Sequence, residues 1–325
     1  MPYLIIGAGG IGASIAARLA RGGADATLVA RPSQTSALAA GITMHDFDGT
    51  VWSSRPTVVD ALPSAVGRPR EDVVILAVKA FDTAAVVRQL AQRNHLAEAA
   101  VICAQNTVHN EAAVAEEITR VAGAVVHFGA DVTSPGLITD RGDPPLLAIG
   151  GYPSGMPSWL DEPVADLRAG GFIVETSENV MARKWSKLIL NLDSALSAIA
   201  SVSNDEMRSD PRWVDVRRAV RAEALRALDA AGIEYERPTE ISQLASEPWR
   251  PPSYSSTWHD LRLGRSRVET DDINGEIVRI GVRAGVPVPL NAFLLETCVR
   301  MAHERTQPGA MTPDELLRSL GALRA

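Results

Sequence analysis

The chain has 325 residues, 46% of them hydrophobic and 22% charged, with a formal net charge of −7. That length accommodates two domains and a sizeable core, which excludes wholesale disorder, and the acidic balance argues against nucleic-acid and anionic-membrane binding. No apolar run reaches the roughly 18 residues of a membrane span, Met1-Pro2-Tyr3-Leu4 lacks the basic segment of a secretion signal, and Cys103 and Cys298 are too few for a disulfide framework or a zinc site, so a cytoplasmic protein is expected.

In chain order, Leu4-Ile5-Ile6 reads as a buried strand running into Gly7, and the alanine-rich stretch Ala13 to Ala20 as a helix with Arg18 and Arg21 on its outside. Ala26 to Ala30 is a second strand. Val73 to Val78 is a continuous apolar run, as in a parallel strand buried on both faces. Thr83 to Gln92 predicts a helix, Ala100 to Ala104 a strand and Glu111 to Val121 a helix. Strands alternating with helices imply a doubly wound α/β sheet. Ala124 to Gly129 and Leu146 to Ile149, joined by a Gly/Pro/Asp-rich stretch, fit an antiparallel extension. From Asn179 onward the pattern is helical, over 181–200, 211–231, 268–284 and 291–304. The boundary is therefore expected near Glu178, giving domains 1–178 and 179–325. Glu247 to Ser256 reads as a loop, in or beside which Trp249, Tyr254 and Trp258 either wall a cleft or anchor the loop. The tail 306–325 predicts a short helix, with Thr312 as its cap before Pro313.

Gly7-Ala8-Gly9-Gly10-Ile11-Gly12 is G-x-G-x-x-G, placed after an apolar strand and opening a helix. Gly7 permits a tight turn, Gly9 close approach of a pyrophosphate, and Gly12 close packing of helix on strand. Gly10 and Ile11 belong to the helix start, where free N–H groups and the positive dipole end meet phosphate. This predicts a Rossmann-type dinucleotide-binding domain. An NAD site usually has an acid at the end of the second strand. Here Ala30 holds that place and Arg31 follows. A guanidinium pairs with a 2′-phosphate where a carboxylate repels it, so NADPH is expected over NADH. The alternative is a solvated loop arginine.

Of the 32 basic residues only Lys79, Lys184 and Lys187 are lysine. A lysine retained against that bias marks a place arginine does not serve, since only lysine gives up a proton readily. Lys187 and Asn191 share a helix face at i and i+4, with Ser194 a turn further and Leu188, Leu192 and Ile199 opposite. They line either a cleft or a solvated stripe. Glu269, Asp272 and Glu276 share another face, which is either a functional or a solvated one. Asn274-Gly275 falls inside that helix, where glycine costs about 1 kcal/mol against alanine, so either close packing or a ligand is expected there or the pair marks a turn. The six histidines have no metal-ligand spacing, and no G-x-S-x-G supports a serine hydrolase.

Five stretches together, the glycine motif, Val78-Lys79-Ala80, Gln105-Asn106, Trp185-Ser186-Lys187-Leu188-Ile189-Leu190-Asn191, and Ser255 to Leu261 with Glu269 and Ile273-Asn274-Gly275, resemble the ketopantoate reductase family. The resemblance runs from about residue 3 to 301. It implies a Rossmann-type α/β N-terminal domain, a mostly α-helical C-terminal domain and an active site in the cleft between them. NADPH would deliver hydride to C2 of a 2-keto acid, with 2-dehydropantoate the leading substrate. Lys187 is implied as general acid toward the developing alkoxide. Asn191 and Ser256 are implied to bind substrate, Asn106 to meet substrate and nicotinamide, Lys79 to lie near the cofactor, and Glu269 to bond the substrate hydroxyl and support the lysine. Lys184 matches no role in it and reads as solvated. The departures are Thr107-Val108-His109 where the family has glycines, Ala195-Leu196 where pantoate enzymes have Asn-Pro, with Asp193 nearby, and one extra residue before Glu269. His109 reads as a plain loop residue or a new substrate contact. These departures leave two alternatives, a same-family reductase of another carbonyl compound and a non-catalytic NADPH sensor. The partners expected are a small 2-keto acid, no nucleic acid and no membrane, with room for a homodimer.

Overall fold

The structure is a computed structural model that describes residues 1–63, 71–93, 96–140, 144–236 and 253–324. The chain divides into two compact units, Met1–Lys184 and Trp185–Ala325. The division falls six residues past the expected boundary, inside a helix.

The first unit holds strands β1 (Pro2–Ile6), β2 (Asp25–Val29), β3 (Ile42–His45), β4 (Val51–Ser54), β5 (Thr57–Val59), β6 (Val73–Leu76), β7 (Ala100–Cys103), β8 (Val121–Val126), β9 (Ala130–Ser134), β10 (Leu137–Asp140), β11 (Leu146–Gly151) and β12 (Ile173–Thr176). Its helices are α1 (Gly10–Arg21), α2 (Pro32–Ala40), α3 (Thr83–Ala91), α4 (Asn110–Ala115) and α5 (Asp161–Ala169). The main sheet has the order β12-β11-β8-β7-β6-β1-β2-β5. Strands β5 through β8 in that row are parallel, and β11 returns antiparallel to β8. The six parallel strands follow the doubly wound order that reverses direction between the first strand and the fourth. Here that point lies between β1 and β6. The runs Val73–Leu76 and Ala100–Cys103 are buried on both faces, as their unbroken apolar sequence requires.

Four expectations are corrected here. The Gly/Pro/Asp-rich stretch does more than connect: β9 and β10 join β3 and β4 in a second sheet, β4-β3-β10-β9. Helix α4 ends at Ala115, and Val121 begins β8. Its alanines suit helix, but Val121-Ala122 onward is claimed by the sheet core. The long helix expected over 181–200 is broken, and Arg18 is buried rather than outside. Its guanidinium donates to Asp46 Oδ1 at 2.6 Å and Asp140 Oδ2 at 2.7 Å, and lies 5.5 Å from the Trp52 ring centroid and 5.4 Å from that of Phe172. A helix wheel places Arg18 beside exposed Arg21 but carries no sign of the second sheet, whose carboxylates draw it inward.

The second unit is helical: the end of α6 (Val180–Asn191), then α7 (Ser194–Ala200), α8 (Asn204–Ser209), α9 (Pro211–Ala230), α10 (Ser256–Arg262), α11 (Thr270–Ala284), α12 (Pro289–Glu304) and α13 (Pro313–Ala322). The helix breaks between Asn191 and Ser194, so Ser194 opens α7 instead of continuing the face of Lys187 and Asn191. Thr312 caps α13 through a reciprocal box with Glu315. No helix among the described residues is long and apolar enough to cross a membrane.

Arg18→Ala leaves two buried carboxylates facing each other without their cation. Breaking one side of such a cluster typically costs about 3–5 kcal/mol. Urea unfolding of this variant should show a loss of that order, and a loss below about 1 kcal/mol, as for a surface pair, would contradict the buried role.

Candidate active site

The carboxyl ends of β2, β1, β6 and β7 are laced together beyond the strands themselves. Gly7 N–H donates to Val29 O, Ala77 N–H to Ile6 O and Ala104 N–H to Leu76 O. The glycine motif sits at this edge, and each glycine has a different reason. Gly7 has φ +115°, and a Cβ there would lie 2.7 Å from Ala77 O. A Cβ on Gly12 would lie 1.9 Å from Gly7 O, and one on Gly10 would lie 1.8 Å from Ala130 O, at the start of β9. Gly9 differs: its φ of −77° and ψ of −178° are extended backbone open to any residue, and a Cβ would meet nothing within 4 Å. Neither strain nor packing demands glycine there. Helix α1 then starts without a side-chain cap or an acid in its first turn, so its first N–H groups lack intrahelical and capping partners. An open approach beside an uncapped helix start fits a dinucleotide pyrophosphate.

Around this edge lie the other first-unit candidates. Arg31 is exposed at the N-cap of α2, following β2. Lys79 is half-buried after β6, and Ile11 is half-buried in the first turn of α1. Asn106 is half-buried beyond β7, between the buried Gln105 and Thr107. A chain of side-chain hydrogen bonds holds these neighbours: Gln105 Nε2 donates to Thr83 Oγ1 at 2.7 Å, Thr83 Oγ1 to Asn110 Oδ1 at 2.8 Å, and Asn110 Nδ2 to Thr107 Oγ1 at 2.5 Å. His109 is exposed at the N-cap of α4.

Lys184 corrects the sequence reading. It is not solvated: its side chain is 2% exposed and paired with Glu111, which is fully buried. Its ammonium also donates to Cys103 O at 3.1 Å and Gln105 O at 3.0 Å. Burial pushes the Glu111 carboxyl up, against the opposing pull of Lys184. The scarcity of lysine was the available signal. The pairing was invisible because Glu111 and Lys184 are 73 positions apart in sequence.

In the second unit, Lys187 and Asn191 are half-buried on α6, while Leu188, Ile189 and Leu192 are fully buried. A buried relay fixes the end of this helix. Glu223 accepts from the Leu290 and Asn291 N–H groups at 3.0 Å, Asn291 Nδ2 donates to Glu223 at 2.9 Å, and Asn274 Nδ2 donates to Asn291 Oδ1 at 3.1 Å and Leu192 O at 3.4 Å. Asp193 is held by Arg217 at 2.6 Å and Arg221 at 2.5 Å. Ser256 is half-buried at the first position of α10, whose cap Ser255 donates to Ser194 O at 2.9 Å. Glu269 is buried at the N-cap of α11, and Glu276 is buried beneath Arg279 and Arg283. The solvated reading of that face therefore fails for both glutamates. Close packing does not require glycine at Gly275: a Cβ there would lie 3.0 Å from Asp271 Oδ1 and 3.3 Å from Arg279, both ends of side chains, and 3.4 Å from Leu295, an ordinary contact. Tyr254 stacks on Trp258 at 4.3 Å, and the Trp258 indole donates to Ser201, an anchoring arrangement. Trp249 lies outside the described residues.

A dinucleotide-type sheet followed by a helical unit bearing a lysine and an asparagine on one helix is the arrangement expected of a two-domain oxidoreductase. Residues 3–153 match the family described as ketopantoate reductase PanE/ApbA, and residues 179–301 match its C-terminal part. The 2-dehydropantoate 2-reductase of Archaeoglobus fulgidus is 30% identical over 90% of this chain and 94% of its own length. The crystal structure of a PanE/ApbA family ketopantoate reductase from Ralstonia eutropha JMP134 is 29% identical, with a TM-score of 0.80 over 94% of this chain and 100% of that one. The ternary structure of D-mandelate dehydrogenase with NADH and anilino(oxo)acetate, at 19% identity and a TM-score of 0.79 over 94% of this chain and 99% of its own, shares the fold. The chain belongs to the ketopantoate reductase family.

The glycine geometry makes a sharp prediction. Gly9→Ala should melt with the wild type yet bind a nicotinamide dinucleotide at least about tenfold more weakly, read by quenching of tryptophan fluorescence. Gly10→Ala should lose stability instead. Equal dinucleotide affinity in wild type and Gly9→Ala would remove the cradle.

Proposed function

We propose that the protein reduces a 2-keto acid to a 2-hydroxy acid with NADPH, the leading pair being 2-dehydropantoate and pantoate. The observation that carries this reading is the half-buried pair Lys187 and Asn191 on one face of α6, in a chain of this family. NADPH, when bound, supplies hydride to the substrate carbonyl carbon. Gly7, Gly9, Gly10, Ile11 and Gly12 hold its pyrophosphate at the start of α1. Arg31 pairs with the 2′-phosphate, an anion that an acid in its place would repel. Lys79 and Asn106 contribute from the ends of β6 and β7.

Lys187 does the proton work. Its ammonium stabilises negative charge growing on the carbonyl oxygen and gives that oxygen a proton. Asn191 and Ser256 orient the substrate, Ser256 toward its carboxylate. Glu269, buried at the head of α11, accepts from the substrate hydroxyl and supports the lysine.

One observation favours a second substrate. Ala195 and Leu196 are both fully buried and apolar at the positions where pantoate enzymes carry Asn-Pro. Losing a polar recognition group weakens selection for a hydroxylated substrate more than a change in apolar fit does. This is the ground for the alternative, reduction of another carbonyl compound by the same machinery.

Turnover of a 2-keto acid panel headed by 2-dehydropantoate, followed by NADPH oxidation, tests the reading. Lys187→Ala should lower kcat by about 10²–10⁴-fold while NADPH still binds, and Arg31→Ala should narrow the preference for NADPH over NADH. Turnover restricted to other 2-keto acids selects the second substrate. NADPH binding with no reduction of any panel member contradicts the proposal.

A further inference from the structure

We propose that the buried Lys184–Glu111 pair is a positioning device that fixes the Gln105–Asn106 backbone at the end of β7. This deepens the functional reading and rests on it, because Asn106 matters only if it meets substrate and nicotinamide.

The ammonium of Lys184 donates to two carbonyls, Cys103 O and Gln105 O, and is ion-paired with Glu111 Oε1. Cys103 is the last residue of β7, and Gln105 immediately precedes Asn106. The pair thus grips the backbone on the approach to Asn106, while the Thr83–Asn110 hydrogen bonds hold the side chains of residues 105 and 107. The floor beneath it is cut to size. A Cβ on Gly123 of β8 would lie 3.0 Å from Glu111 Oε1 and 3.4 Å from Lys184 Cε. Arginine presents a larger planar fork, which neither this space nor this pair of carbonyls beside a buried carboxylate suits. That accounts for a lysine kept in an arginine-rich chain.

Stability alone does not explain the pair. A buried ion pair is often replaceable by apolar residues of similar volume without loss of stability. This one is also incomplete, since beyond the ion pair neither Glu111 carboxylate oxygen has a hydrogen-bond partner among the described residues. What apolar replacements cannot reproduce is the grip on the two carbonyls.

The test is therefore the double variant Lys184→Met/Glu111→Leu, which removes the grip without leaving a lone buried charge. It should melt close to the wild type, and its kcat with 2-dehydropantoate and NADPH should fall about 100-fold, the scale expected when a reacting geometry slips by an ångström. In ligand-free protein, amide hydrogen exchange over residues 104–108 should accelerate while that over β1 does not. Lys184→Arg should fail to restore either property. If the double variant does not fold, Glu111→Gln, which keeps an acceptor for Lys184, should show the same changes in weaker form. A folded double variant, or failing that a Glu111→Gln variant, with wild-type kcat and exchange overturns the proposal. Asn106→Ala, measured in parallel, separates the two ideas: wild-type kcat in that variant defeats the reading of Asn106 itself, whereas a large loss there beside wild-type kcat in the double variant defeats only the role of the pair.

Discussion

The closeness of α1 to the ends of β1 and β6 is the constraint on which the first unit depends. Gly7 and Gly12 admit no Cβ without a clash below 3 Å at the ends of β6 and β1, and Gly10 admits none against Ala130 of β9. Those clashes are with the backbone, so no side-chain adjustment relieves them. Close packing there brings the helix start to the point where the strand order reverses, between β1 and β6. The crevice outside such a reversal is where open α/β sheets bind ligands. Gly9 is the exception, since its conformation and surroundings would accept another residue. In one six-residue motif, packing therefore accounts for three glycines and leaves Gly9 without a packing reason.

Buried charge does comparable work elsewhere. Arg18 ties α1 to the turn after β3 and the end of β10 through Asp46 and Asp140, so the small second sheet is fastened to the dinucleotide helix. Glu223, Asn291 and Asn274 carry a hydrogen-bonded line across three helices to the Leu192 carbonyl, one residue past Asn191. Asp193 receives two arginines at the same break. Such groups lose solvation on burial and recover it only through their partners. They therefore favour one arrangement of the elements around each candidate side chain over its near neighbours.

Much of this was legible in the sequence because it is local. The strand–glycine–helix junction, the apolar runs of β6 and β7, the Thr312 cap and the long helices α9, α11 and α12 each declare themselves within a short window. The Lys187 and Asn191 pairing is local too. What escaped is what depends on distant partners. The second sheet is built from strands of four or five residues with weak apolar signal. Arg18 and Lys184 looked solvated because the carboxylates that bury them come from elsewhere in the chain. The helix over 181–200 looked continuous because neither Leu192 nor Asp193 is a breaker, and the break shows only through the partners that claim Leu192 O and the Asp193 carboxylate.

The most direct test of the account is a crystal structure with NADP⁺ and pantoate bound together. The account predicts the pyrophosphate over Gly9 at the start of α1, the 2′-phosphate against Arg31, and the C2 hydroxyl of pantoate within hydrogen-bond distance of Lys187 Nζ. A dinucleotide bound away from the glycine turn, or a pantoate hydroxyl with Lys187 out of reach, would contradict it.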